Sequence, residues 1–119
     1  MSYPKAIGPY SAYRVAGDLI FISGQLPLDP QTMEFAGDDI KTQTQQSLSN
    51  IQAILKELGL EMSSIIKTTV LLSDISYFAE MNEVYSQFFD APYPARSAFA
   101  VKDLPKGAKV EIEVIAKKS

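Results

Sequence analysis

Hydrophobic and polar positions change their period several times along this chain, and each change marks an element. Residues 12–16 and 19–23 are short runs rich in Tyr, Val, Ile and Phe, which suit a pleated, half-buried surface, and Gly17-Asp18 between them suits a tight hairpin turn. Residues 24–37 hold Pro27, Asp29, Pro30 and Gly37, the chemistry of loop and turns. Asp38 or Asp39 then offers an N-cap oxygen, and apolar residues recur at Leu48, Ile51, Ile54, Leu55 and Leu58 before Gly59, which predicts an amphipathic helix over 40–58. The β-branched run 65–72 predicts a buried strand and completes a strand, helix, strand crossover. Phe78, Met81, Val84, Tyr85, Phe88 and Phe89 return to helical spacing, and Pro92 and Pro94 stop it, so a second helix is expected over 77–89. Residues 97–101 and 108–116 are expected to be the last two strands, separated by the reversal-prone Leu104-Pro105-Lys106-Gly107.

The order β, β, α, β, α, β, β predicts an α+β sandwich, one mixed sheet with two helices on one face. In the closing strand Val110, Ile112, Val114 and Ala116 share one side, while Glu111, Glu113, Ile115 and Lys117 share the other. The first side is core. The second sets two carboxylates among apolar groups, as expected where a sheet packs partly on another subunit and partly lines a cleft.

Composition narrows the chemistry. A length of 119 residues with 46% hydrophobic and 21% charged content is that of one globular domain, assigned to 1–119. No apolar run reaches membrane-spanning length, and the first residues lack the basic-then-apolar pattern of a secretory leader, so a cytoplasmic location and no membrane partner are expected. There is neither Cys nor His, so disulfides, thiolate metal sites and Ser-His or Cys-His nucleophile pairs are unavailable, and no metal is expected. The net charge of −3 argues against nucleic acid as a partner.

Only two arginines occur beside nine lysines, within 11 basic residues in all. Arg96 follows Pro92-Tyr93-Pro94-Ala95, a stiff mount suited to a guanidinium that binds a planar carboxylate bidentately. An ordinary ion pair with Glu111 or Glu113 is the competing reading. Glu111, among apolar neighbours, suits a general acid or base if burial favours its protonated form, although a solvated strand face is the more ordinary reading of a lone Glu. Tyr10 offers a phenol at a cleft mouth or simply packs. Gly24 lets a ligand approach the backbone or marks a bulge, and Asn82 is a candidate binding residue or plain helix surface. The Met, Phe and Tyr residues of the second helix are read as core.

Four segments taken in order, Ile7-Gly8-Pro9-Tyr10-Ser11, Ser23-Gly24-Gln25-Leu26-Pro27, Pro94-Ala95-Arg96-Ser97 and Val110-Glu111-Ile112-Glu113, resemble the RidA (YjgF) family. Gln46, Leu48 and Asn50 in the first helix and Asn82, Tyr85, Phe88 and Phe89 in the second extend the likeness. The resemblance implies a chorismate-mutase-like fold assembled as a homotrimer with a central barrel and clefts between subunits. It implies a cofactor-independent 2-iminobutanoate/2-iminopropanoate deaminase that hydrolyses reactive 2-imino or 2-enamino acids to 2-keto acids and ammonia. It implies Arg96 as carboxylate anchor, Glu111 as the residue orienting water, Tyr10 in the cleft, and Gly24, Ala98, Asn82 and Pro94 in or beside the binding site. Many relatives carry Cys where this chain has Ala98, so no thiol takes part here. A non-catalytic carboxylate-binding regulator and, with less support, an RNA-cleaving translation inhibitor are the alternatives.

Overall fold

A computed structural model describes residues 2–118. Its strands are β1 (Tyr13–Ala16), β2 (Leu19–Gln25), β3 (Ile65–Leu72), β4 (Ala95–Ala100) and β5 (Val110–Lys117), with helices α1 (Ile40–Glu57) and α2 (Phe78–Tyr85) between them. The five strands form one sheet in the order β1-β2-β5-β3-β4, antiparallel except for the parallel pair β3 and β4 that α2 connects. The expected mixed sheet with two helices is present, and no described helix is long and apolar enough to cross a membrane.

Local chemistry explains each boundary. Gly17 turns the β1–β2 hairpin at φ 60°, a backbone conformation costly for other residues, and Ala16 pairs directly with Leu19. Asp39 caps α1 by accepting from the Thr42 amide at 3.0 Å. Gly59, at φ 75°, ends it, and Leu60 N–H returns to the Leu55 carbonyl at 2.8 Å. The second helix is shorter than its apolar spacing suggests. Ser86 turns its hydroxyl onto the Glu83 carbonyl at 2.8 Å, and Gln87 and Phe88 continue with tighter turns onto Val84 and Tyr85. Phe89 is therefore buried from a turn rather than from a helix. Strand β4 begins at Ala95, two residues earlier than expected, because Ala95 already pairs with Lys67 of β3.

The core lies between the helices and one sheet face. Ile20 and Ile22 of β2, Val70 and Leu72 of β3, and Val110, Ile112, Val114 and Ala116 of β5 meet Leu48, Ile51, Ile54 and Leu55 of α1 and Met81 and Tyr85 of α2. Each deeply buried aliphatic side chain contributes about 1.5–3 kcal/mol by leaving water. The opposite sheet face has no helix over it and bears Phe21, Lys67, Thr69, Leu71, Phe99, Glu111, Glu113 and Ile115, as their register shows. Phe21 is 43% and Phe99 48% exposed there, a large apolar investment for a face left to water.

Candidate functional site

The side chains singled out in the sequence gather into two groups. Tyr10, Gly24 and Glu111 line one cavity of about 400 Å³, together with Ile7, Ser23, Leu26 and Pro105. Its floor is set by a close approach: a Cβ on Gly24 would overlap the Glu111 carboxylate, so only glycine leaves that carboxylate where it stands. Burial pushes the Glu111 carboxyl above its ordinary value, and the charge of Glu113 on the same strand face adds to the rise. Tyr10 stands at the mouth, 50% exposed, in a strap whose amide turns back on the Gly8 carbonyl at 2.8 Å. Ser23 holds the strap's end by donating to the Ser11 carbonyl at 2.6 Å.

The first helix fixes two walls of this cavity from behind. Asn50 donates to the Leu26 and Leu28 carbonyls at 3.3 and 3.0 Å and accepts from Gln46 at 2.8 Å. Gln43 accepts from the Lys109 amide at 2.9 Å, just before β5 carries Glu111 into place, and donates to Gly37 at 2.9 Å. The sequence drew attention to Asn50 only through resemblance and passed over Gln43. A buried amide inside an apolar helix stripe was the available signal.

Arg96, Asn82 and Ala98 form the second group. Arg96 Nη1 donates to Asn82 Oδ1 at 2.7 Å, so Asn82 is a partner of the guanidinium and not plain helix surface. The guanidinium carbon lies 4.7 Å from the centre of the Tyr85 ring and 5.4 Å from that of Phe78. Helical spacing alone assigns both rings to the core. Phe78, Asn82 and Tyr85 fall at i, i+4 and i+7 of α2, so one helix stripe meets the arginine. Ala98 follows on the same face of β4 and packs against the core.

The two groups do not meet within one chain. Arg96 pairs in register with Thr68, on the helix face, whereas Glu111 pairs with Leu71, on the bare face. The ion pair of Arg96 with Glu111 or Glu113 is therefore not formed; among the described residues Arg96 has no carboxylate partner, and Lys41 with Glu83 is the recorded pair. Nor do the described residues hold three acidic side chains placed for a metal.

A family model described as Endoribonuclease L-PSP matches residues 1–118. The chain belongs to this family, that of RidA and YjgF. Among relatives in the RidA family, the RutC family protein y4sK of Sinorhizobium fredii is 54% identical over 112 residues, spanning 94% of this chain and 89% of that protein. The 2-iminobutanoate/2-iminopropanoate deaminase of Bos taurus is 45% identical over 113 residues, 95% of this chain and 82% of the relative. Of solved structures, E. coli TdcF with bound serine superposes with a TM-score of 0.94 at 47% identity, covering 99% of this chain and 94% of that one.

Proposed function

We propose that this RidA family member is a 2-iminobutanoate/2-iminopropanoate deaminase, converting reactive 2-imino or 2-enamino acids and water to 2-keto acids and ammonia. The observation that carries the reading is the Arg96 guanidinium, held by Asn82 and two aromatic rings with no carboxylate against it among the described residues. Its remaining donors suit a substrate carboxylate bound side-on through two hydrogen bonds. The 45% identity to the bovine deaminase over 95% of the chain points to the same chemistry.

The reaction needs only positioned water and modest acid–base help, because an imine carbon is already electrophilic. Arg96 anchors the carboxylate and fixes the imine carbon, replacing a bimolecular search by a held encounter. Glu111 takes a proton from the water that attacks the protonated imine carbon, and the new C–O bond gives a neutral carbinolamine. It returns that proton to the nitrogen, and as the C–N bond breaks and ammonia leaves, the carbinolamine hydroxyl gives its proton to Glu111 and becomes the carbonyl. Burial raises the proton affinity of the Glu111 carboxyl, in the direction that suits a group taking up and returning a proton. Tyr10 and the backbone beside Gly24 and Ala98 supply hydrogen bonds around the reacting atoms. No cofactor is invoked.

Arg96 and Glu111 lie on opposite sheet faces, so a site using both takes one from each of two copies. The assembly we propose is a homotrimer whose bare sheet faces, with Phe21 and Phe99, form a central barrel and whose clefts join the Arg96 half of one copy to the Glu111 half of the next.

A coupled assay in which a dehydratase releases 2-aminoacrylate or 2-aminocrotonate tests the activity. Ammonia is expected to form faster with the protein than in buffer and no faster than buffer with Arg96→Ala; a wild-type rate equal to buffer would leave only a carboxylate-binding regulator. Shared sites are tested by refolding Arg96→Ala and Glu111→Gln chains together, which is expected to restore about one quarter of the sites if subunits mix at random. No recovery from mixed trimers would refute a site shared by Arg96 and Glu111 of neighbouring copies, and the assembly with it.

A further inference from the structure

The stripe of α2 that faces Arg96 does more than bury carbon. Arg96 stands on an edge strand paired on one side only, to β3, so no second strand flanks its long side chain. Its bond to Asn82 fixes one nitrogen at 2.7 Å but leaves the guanidinium plane free to turn about that point. The Tyr85 ring, its centre 4.7 Å from the guanidinium carbon that lies over it, limits that freedom, because the guanidinium cannot turn through the ring.

The ring is fixed in its turn. Tyr85 is 6% and Thr68 0% exposed, and their hydroxyls share a hydrogen bond of 2.8 Å. Thr68 is the residue paired with Arg96 across the parallel β3–β4 ladder. The ring that orients the arginine is thus tied to the same rung of the sheet as the arginine itself, and Phe89 backs it with ring centres 4.6 Å apart.

We infer that Tyr85, pinned by Thr68, is a positioning residue for Arg96, setting the plane in which the guanidinium meets a carboxylate ligand. The inference rests on Arg96 being the carboxylate anchor. It extends that reading by assigning substrate orientation to a buried hydroxyl pair that touches no ligand.

The test uses the full-length protein with 2-oxobutanoate and its neutral carboxamide as competing inhibitors of the imine hydrolysis. Tyr85→Leu removes the ring, and it is expected to raise KM and the inhibition constant of 2-oxobutanoate about tenfold or more while kcat changes less. The carboxamide constant is expected to stay within about twofold, since the loss concerns charge recognition. Thr68→Val and Tyr85→Phe keep the core volume and break the same hydrogen bond. Each is expected to give a smaller rise in KM, about threefold, and the double variant no more than either alone.

A general packing defect would weaken both inhibitors alike and lower kcat, and that result would overturn the inference. So would unchanged 2-oxobutanoate binding in Thr68→Val and Tyr85→Phe. Arg96→Ala, which is expected to have no turnover and is therefore read by calorimetric binding of 2-oxobutanoate and its carboxamide alongside the wild type, separates the two levels: if it leaves carboxylate preference intact, the anchor assignment fails and takes this inference with it. If Arg96→Ala abolishes the preference and the Tyr85 and Thr68 variants keep it, the inference alone fails.

Discussion

Replacing Gly24 by Ala separates the placement of Glu111 from the stability of the fold. Gly24 lies in β2 where the ladder slips between Ile22 and Gln25, and its backbone is not left-handed, so the conformation itself admits alanine. What opposes the methyl is one side chain: the new Cβ would overlap Glu111 Oε2 and stand 3.0 Å from Cδ and 3.2 Å from Cγ. A carboxylate at the end of a flexible stem yields by rotating, at a cost of about 0.5–1.5 kcal/mol. The lower chain entropy of alanine in the unfolded state returns about 0.4–1 kcal/mol. Net stability therefore changes by less than about 1 kcal/mol, a melting shift of no more than about 6 °C.

Activity should respond out of proportion. Moving the carboxylate by about 1 Å costs on the order of 100-fold in kcat when that group positions the attacking water. The assay pairs ammonia release at saturating substrate with urea unfolding of the same preparation. Repeating Gly24→Ala in a Glu111→Gln background is expected to add no further loss, because both changes act through one carboxylate. Wild-type kcat in a folded Gly24→Ala protein would refute the placement of Glu111 at the water. A stability loss above about 3 kcal/mol would show that the methyl meets something less yielding than a side chain.

Three further outcomes follow from the same neighbourhood. Because Glu111 takes up protons more readily folded than unfolded, stability falls as pH rises from the ordinary carboxylate range through its raised value. Glu111→Gln is therefore expected to melt higher than wild type at neutral pH and to lose that advantage below the ordinary carboxylate range; an equal melting temperature at neutral pH would contradict it. The acid limb of kcat is expected above the ordinary value of a Glu carboxyl, and Glu113→Gln is expected to move it to lower pH by removing the neighbouring charge; an unmoved limb in a pH–rate profile would assign it to another group. Asn50→Ala strips the Leu28 carbonyl of its Asn50 donor, leaves Leu26 only the Leu28 amide at 2.8 Å, and is expected to cost about 1–3 kcal/mol in urea unfolding, with a loosened cavity wall read as a higher KM; wild-type stability would mean that water replaces the amide.

Most of the architecture was legible because each element obeys its own period. Leu48, Ile51, Ile54 and Leu55 recur at helical spacing and are buried, and β5 alternates between core and bare face as its sequence alternates. Where expectation and structure part, a polar group decides. Phe88 and Phe89 continue the apolar spacing of α2, yet Ser86 bonds the Glu83 carbonyl and the chain turns. Hydrophobic periodicity registers which residues are buried, and it is blind to whether helix or turn buries them.

The site was legible residue by residue and illegible as an arrangement. Arg96 drew attention through scarcity and Glu111 through its apolar neighbours, and the ion-pair reading sets the two side by side. Strand parity decides otherwise: Thr68 and Leu71, their partners on β3, differ by an odd number of positions and point to opposite faces. That count becomes available only once the register of both ladders is known. Tyr85 shows the complementary blind spot. A buried aromatic at helical spacing reads as core, and it is core, but its hydroxyl reaches Thr68 and its face reaches Arg96. Burial and orientation of a charged group are two uses of the same ring, and the arginine opposite it, rather than the helix pattern, reveals the second.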